Sequence, residues 1–398
     1  MKLKQRPSLL PTEYGTYRDD VVQWLASELP REPIVLFDPM CGTAPLLPLA
    51  ETRGYTAHFN DLSPLHWHVN AARTWPARVA FAEIGSTSLL ALALRHCGEL
   101  RDRRPTISEK WIDDRTFDGL KAAWERFEAE RESVRALLRC ILLLSVRGLS
   151  CYTPSGNPTS PKPGGMSGTE PLDALLQRAI VRLEEYHAFA YPSGVTPVGG
   201  KVAFTTEDGS TVRIGKKADV VATSPPFPNR VDWQRLYAPE HHFLAQVGHA
   251  PSPSAFMGTP RVHDYRSLAE EREAVSAASP HVGELIDSAQ ASQRGHERTS
   301  DYYVKYFTRY FALLFGVLEN AVAQMKARGR LFVMVQNNVH RKMEVRMDLA
   351  LREFLEGRQL EVHVPFEELR PHMGLRNISR KMPLVLPRQR EHILVAHR

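Results

Sequence analysis

The sequence predicts an α/β protein built on a doubly wound, mostly parallel sheet. Three observations carry the prediction. Short continuous apolar runs, such as Ile34-Val35-Leu36-Phe37 and Val220-Val221-Ala222, suit strands covered on both faces. These runs alternate with longer stretches whose apolar residues recur at helical spacing, the order that builds a parallel sheet. Polar, acidic, Gly and Pro residues then gather where strand runs stop, at Asp38, Asp61, Asp208 and Ser224. In open α/β sheets ligands bind at that carboxyl edge.

Bulk properties narrow the function classes. At 398 residues the chain is long enough for two domains, or for one α/β domain with large insertions. The net charge of +6 and a pI near 9.1 admit a polyanionic partner without requiring one. The four cysteines, Cys41, Cys97, Cys140 and Cys151, are far apart with no Cys-x-x-Cys pair. That argues against a disulfide framework and a zinc ribbon, and it fits a reducing cytoplasm, the expected location. The 16 histidines are scattered without His-Glu-x-x-His, so no metal site is expected. The first residues lack an apolar core, so a signal peptide is not expected. The best apolar run, 136–146, is too short for a membrane span and contains Arg139.

In chain order, residues 12–29 show helical spacing (Val21, Val22, Leu25, Leu29) that stops before Pro30. The strand 34–37 runs into Asp38-Pro39-Met40-Cys41-Gly42-Thr43-Ala44, a tight loop, and a helix over 45–53 closed by Gly54. A second strand, 56–60, ends on Asp61, and Ser63-Pro64 opens a helix to about Arg73. This is a β-loop-α-β unit with an acidic residue after its second strand. Its loop N–H groups and helix start favour a polar or negative group, and the carboxylate can accept from ribose hydroxyls. The loop lacks Gly-x-Gly-x-x-Gly and Gly-Lys-Ser/Thr, which disfavours a dinucleotide, and so an oxidoreductase, and a triphosphate. An ordinary crossover with a Gly turn remains the plain alternative.

Residues 81–191 read as a mostly helical insertion, for packing or for substrate recognition, broken at 101–105 and by a Pro/Gly/Ser-rich loop over 153–171. Strand character resumes at 201–204, followed by the turn Glu207-Asp208-Gly209 and a short run over 211–214. Asp208 is either a plain Asp-Gly turn or an acceptor for an adenine amino group. The strand 219–222 then stops at Thr223-Ser224-Pro225-Pro226-Phe227. Proline cannot donate to a ladder and holds its predecessor extended, so this strand end is stiff and rich in acceptors, with an aromatic ring beside it. A Pro-rich turn with a core Phe is the plain alternative. Beyond it come a helix near 239–247, a Pro/Ser-rich loop over 249–260 and a polar, weakly helical stretch over 261–295. An aromatic-rich helix over 302–325 is read as core-facing, with base stacking the lesser alternative, and 330–336 as a strand. A helix over 345–355, a strand over 360–364, a basic segment over 370–390 and a last strand over 392–396 complete the chain.

Two motifs carry a resemblance. Asp38-Pro39-Met40-Cys41-Gly42-Thr43 resembles the cofactor loop, and Thr223-Ser224-Pro225-Pro226-Phe227 resembles the Ser-Pro-Pro-Tyr motif, of the amino-methylating DNA methyltransferases that use S-adenosylmethionine. Asn229-Arg230-Val231-Asp232-Trp233 and the Tyr-rich helix near 302–311 look like a bacterial branch of that group. The chain departs at Ala44-Pro45, where a second Gly or a small residue is common, and at Phe227, which keeps a stacking face but loses the Tyr hydroxyl.

The resemblance implies a seven-stranded, class I methyltransferase-like sheet with a helical insertion. Residues 1–80 would carry the cofactor loop, 81–197 the insertion with a target-recognition role, and 198–398 the catalytic motif, 249–300 being partly loop or recognition segment. It implies that S-adenosylmethionine is bound by Asp38, Pro39, Met40, Cys41, Gly42, Thr43, Asp61, Asp208 and Thr223. Catalysis would fall to Ser224, Pro225, Pro226 and Phe227, with Asp232 either orienting the amine or structural. The partner would be double-stranded DNA with its target base flipped out, and a cognate restriction or defence protein is admitted. Ser224 in place of Asp or Asn leans towards cytosine N4. Adenine N6, an RNA amine and a catalytically inactive nucleic-acid-binding subunit are the alternatives.

Overall fold

The computed structural model describes residues 7, 9–10, 19–100, 106–107, 112–150, 166–167, 170–228, 236–250, 257, 268–291, 302–340, 343–370 and 389–398. Among them the main sheet has seven strands: β1 (Val35–Asp38), β2 (Thr56–Asn60), β5 (Lys201–Thr205), β6 (Ala218–Thr223), β7 (Met325–Gln336), β10 (Glu361–Arg370) and β11 (Gln389–His397). Two-stranded ribbons pair β3 (Thr106–Ile107) with β4 (Met166–Ser167), and β8 (Asn338–His340) with β9 (Met343–Val345). The sheet order is β10-β11-β7-β6-β1-β2-β5. β1 pairs parallel to β6, β6 to β7, and β2 to β5, whereas β11 is antiparallel to both β7 and β10. One reversed strand in a parallel, doubly wound sheet is the class I methyltransferase-like fold that the resemblance implies.

The chain divides into two compact units, Met1–Ile34 with Cys41–Glu207 and Trp233–Pro253, and Val35–Met40 with Asp208–Asp232 and Ser254–Arg398. The first holds β2, β5 and the helices α1 (Asp19–Glu28), α2 (Leu47–Thr52), α3 (Pro64–Ala71), α4 (Trp75–Ile84), α5 (Ser86–His96), α6 (Asp114–Arg126), α7 (Glu132–Leu149), α8 (Leu172–Ala190) and α9 (Ala238–Gln246). Its apolar core is mostly helical. Leu137, Leu138, Ile141 and Leu142 of α7 meet Val69, Leu89, Leu176 and Ile180. α6 starts on a true cap, since Asp113 accepts the Thr116 N–H at 3.0 Å. α4, unread in the sequence, turns into α5 at Gly85, whose φ of +76° suits a residue without Cβ.

The second unit holds β1, β6, β7, β10, β11 and the helices α10 (Leu268–Ala278), α11 (Pro280–Ala291), α12 (Tyr302–Gln324) and α13 (Met347–Glu356). Tyr303, Tyr306, Phe307, Tyr310, Phe311 and Phe315 of α12 are all buried, so the aromatic periodicity is a core face, as the sequence predicts. Phe315 stacks on Phe354 of α13 with centroids 4.3 Å apart, a geometry worth about 1 kcal/mol beyond burial.

Several element boundaries differ from the sequence reading. The run 211–214 is not a strand, because the Thr211 and Val212 N–H groups turn back to the Asp208 carbonyl. The stretch 261–295 contains two well-formed helices, α10 and α11. Val345 ends the β8–β9 ribbon instead of opening a helix. β10 does not stop before Pro365 but passes through it on a bulge between His363 and Phe366; an edge strand tolerates a proline there. The readings over 101–105, 153–165, 251–256 and 371–388 lie outside the described residues, as do 12–18 of the first helix.

Candidate active site

In the first unit, the loop after β1 is held by the helix that follows β2. Gly42 has φ +51° and Ala44 φ +42°, so the chain turns sharply at Cys41-Gly42-Thr43-Ala44. Only glycine takes the first of these without strain. The Cys41 N–H donates to the Asn60 carbonyl at 2.8 Å, tying the loop to the end of β2.

Asp61, one residue past β2, organises this corner. Its Oδ2 accepts the Gly42 N–H at 2.9 Å. Its Oδ1 accepts the Ser63 N–H at 2.9 Å and faces His66 Nδ1 at 2.8 Å. The His66 tautomer is thereby set, since a carboxylate can only accept. Burial pushes the Asp61 carboxyl up, but the His66 charge and hydrogen bond, with the Ser63 and Gly42 N–H groups, bring it below its ordinary value. Asp61 is therefore an anion at neutral pH, with acceptor capacity left on Oδ2 for one more donor.

α3 supplies the second support. Asn70 Nδ2 donates to the Gly42 carbonyl at 2.8 Å, and the Asn70 Oδ1 accepts from Arg73 Nη1 at 3.0 Å. The Arg73 guanidinium is buried and sits 4.2 Å from the Tyr186 ring centroid. His66 and Asn70 lie at i and i+4 on one face of α3, and Arg73 follows just past its end. That spacing is legible in the sequence, yet the sequence reading passed over it. Ser63 Oγ meets His241 Nε2 of α9 at 2.9 Å, a buried contact that no local pattern announces. Cys41, Cys97 and Cys140 are free thiols, and burial pushes Cys97 and Cys140 up to about 12, far from nucleophilic.

In the second unit, β1 and β6 run side by side with Phe37 level with Val221. Asp38 and Thr223 thus close neighbouring strands at the same edge. Asp38 is fully buried and its Oδ1 accepts the Met40 N–H at 3.2 Å, so this carboxylate shapes the turn at Pro39. Asp208 does the same for its own turn, where Oδ1 accepts from Ser210 N at 2.8 Å and Ser210 Oγ at 2.7 Å. The Pro39 carbonyl lies close to Gly209, leaving little room there for a side chain.

Past β6, Ser224, Pro226 and Phe227 are half-buried while Pro225 and Pro228 are buried. The Pro226 carbonyl accepts from Tyr310 Oη of α12 at 2.6 Å. That contact fixes the orientation of the 226–227 peptide. Asn229, Arg230, Val231, Asp232 and Trp233 lie outside the described residues.

The implied cofactor needs acceptors for ribose hydroxyls and a tight loop beside them. Asp61 and the Cys41–Ala44 turn fit that requirement. The Thr43 hydroxyl of the first unit and the Thr223 hydroxyl of the second are buried and have no partner among the described residues. Among the described residues no single helix is long and apolar enough to cross a membrane.

No protein-family model matches the chain, and no curated protein matches it. Among solved structures, it is similar to the rRNA methyltransferase aviRa from Streptomyces viridochromogenes at 12% identity, over 97% of this chain and 89% of that one, with a TM-score of 0.30.

Proposed function

We propose that the chain transfers a methyl group from S-adenosylmethionine to an exocyclic base amine of DNA, cytosine N4. The observation that carries the reading is the Ser224-Pro225-Pro226-Phe227 segment at the carboxyl end of β6, stiffened by two prolines and fastened by Tyr310.

An exocyclic amine is a poor nucleophile because its lone pair is delocalised into the ring. Ser224 Oγ and the Pro225 carbonyl accept its two N–H groups and draw the nitrogen towards a tetrahedral geometry, which exposes the lone pair. Phe227 stacks on the base once it is flipped out of the duplex. The cofactor supplies an electrophilic sulfonium methyl group. Asp61 orients the ribose through its remaining acceptor position, and the Cys41–Ala44 turn receives the polar end. The chain's contribution is mainly positioning, with electrostatic help from fixed acceptors.

The test is direct. Purified protein is incubated with isotopically labelled S-adenosylmethionine and either duplex DNA or RNA in parallel reactions, and each nucleic acid is digested to nucleosides. N4-methyldeoxycytidine is expected. N6-methyldeoxyadenosine would replace the base assignment, and label found only in RNA would replace the substrate. The Ser224→Ala variant is expected to lose roughly 10²-fold in turnover, the scale for one acceptor or donor at a reacting centre, while cofactor affinity stays unchanged. Unchanged turnover would overturn the role given to Ser224. Absence of S-adenosylmethionine binding by the wild-type protein would leave the inactive nucleic-acid-binding subunit as the reading.

A further inference from the structure

We propose that Glu361, His363 and His397 form a binding site for a divalent transition metal of the Zn(II) type, at the edge of the sheet opposite Ser224. The three residues come from two chain segments. Glu361 and His363 open β10, and His397 ends β11.

The placement follows from sheet geometry. Side chains alternate across a strand, so Glu361 and His363 share a face. Glu361 is directly opposite His397 in the antiparallel register, which puts all three on that face. Val362 packs against the core and Ala396 is buried, so the intervening residues point inward and the trio points out. β10 and β7 each lie antiparallel to β11, so β10 runs parallel to β7 and β6. The start of β10 is therefore at the edge opposite Ser224.

The distances match those between ligands of one tetrahedral ion. The ligand atoms all lie within 4.8 Å of one another. His363 Nε2 is 3.1 Å from Glu361 Oε1, and His397 Nε2 is 3.3 Å from Glu361 Oε2. A tetrahedral Zn(II) with bonds near 2.1 Å separates its ligand atoms by about 3.4 Å. The two imidazoles are nearly parallel, with centroids 5.4 Å apart and planes 24° apart. Both Nε2 atoms thus turn to one carboxylate, where a cation would sit. Two imidazoles and a carboxylate suit Zn(II), Ni(II) or Cu(II) over Mg(II) or Ca(II), which prefer oxygen.

Three protein ligands leave a fourth position for water. At a sheet edge far from the strand carboxyl ends, the bound ion would join the edge strand to its neighbour. It would hold the base of the β10–β11 hairpin, just before the bulge that follows His363. The exposure of His363 and Glu361, at 54% and 67%, makes the site accessible to exchange.

The experiment uses the full chain after chelator treatment, with ZnCl2 titrated by calorimetry and Co(II) followed by visible absorption. One equivalent of Zn(II) is expected, with a tetrahedral Co(II) spectrum and a rise in the thermal midpoint on adding Zn(II). The double variant His363→Ala/His397→Ala is expected to bind at least roughly tenfold more weakly and to lose the midpoint rise. Circular dichroism checks that it folds, which the exposure of both side chains favours. Glu361→Gln, which keeps the shape of the side chain, is expected to weaken binding as well. Binding that is unchanged in the double variant would place the metal elsewhere and overturn the proposal. Failure of the wild-type protein to bind Zn(II) at one equivalent would also overturn it, leaving Glu361 as an ion-pair partner of the two histidines.

Discussion

Asp61 builds the loop after β1 and is the carboxylate that the proposed function assigns to the cofactor. Its contacts with Gly42, Ser63 and His66 hold the turn after β1, and Oδ2 keeps room for a further donor. Asp61→Ala is expected to weaken S-adenosylmethionine binding by roughly tenfold or more, the scale of a lost charge-assisted hydrogen bond. Calorimetry checks it, and undiminished affinity would remove the cofactor assignment. A second residue tests electrostatics away from any ligand. Asp348, in the first turn of α13, is gripped by Arg346 Nε at 3.0 Å and Nη2 at 2.8 Å. Burial pushes its carboxyl up, but hydrogen bonds from Arg346 and Asn337 and the charges of His392 and Arg346 lower it to about 2. A depressed carboxylate stabilises the fold above its unfolded value, near 4, and loses that contribution as pH falls towards 2. With partial solvent screening the contribution is on the order of 1–2 kcal/mol. Asp348→Asn is expected to lower stability by that amount at pH 7 and to match the wild-type protein near pH 2, as read from urea midpoints. These residue-scale contacts were only partly legible. Asp61 at a strand end was readable, but its partner His66 depends on how α3 leaves the strand.

At the element scale, α12 and the segment after β6 depend on each other. The sequence marks α12 as an aromatic, core-facing helix through its i, i+4 spacing, and Tyr302, Tyr306 and Tyr310 stack along it with centroids 6.0 and 6.2 Å apart. It does not mark Tyr310 as different from the other rings. Only packing delivers its hydroxyl to the Pro226 carbonyl. Burial pushes the Tyr310 hydroxyl well above its ordinary value, so it remains a donor throughout the usable pH range. Tyr310→Phe removes that donor and keeps the ring. The expected result is a fall in turnover of roughly tenfold with cofactor affinity unchanged, since a loosened acceptor geometry costs rate before binding. Steady-state kinetics at saturating cofactor reads it, and unaltered turnover would reduce Tyr310 to a core residue. The misread elements have equally local causes. The run 211–214 has strand composition, but Asp208 draws its N–H groups into a turn. The strand read over 360–364 continues past Pro365 because the bulge leaves the edge strand room for it.

At the scale of the whole molecule, acid stability is set by histidines that burial keeps neutral. His187 of α8 is almost fully buried, with Nε2 donating to the Ala72 carbonyl at 2.9 Å. Burial lowers its value; the Ala72 bond opposes this, Arg78 and Arg73 reinforce it, and the result is about 4. The unfolded chain takes up the proton first, near pH 6.5, so stability is full above that value and falls as pH drops towards 4. The loss is about 3 kcal/mol from this one group. Chemical denaturation at pH 7 and pH 4.5 is expected to show a clear drop for the wild-type protein and a shallower one for His187→Gln. Equal slopes would assign the acid sensitivity to other groups.

What the sequence determined by itself is the class of fold and the places where strands stop in polar residues. Continuous apolar runs, helical periodicity and the polar residues that end each strand are local properties, and they survive without knowledge of neighbours. Thr223 to Phe227 and Asp38 to Thr43 could be located for the same reason. Only the tertiary structure decided the strand order, the reversal of β11 and the partners of each buried polar group. The sequence separations involved make this plain: Asn60 with Glu207, Tyr310 with Pro226, and Glu361 with His397. Each pair is joined by packing and register over long chain distances. A composition or a spacing carries no record of those distances, because the free energy that selects them belongs to the assembled core and not to either segment alone.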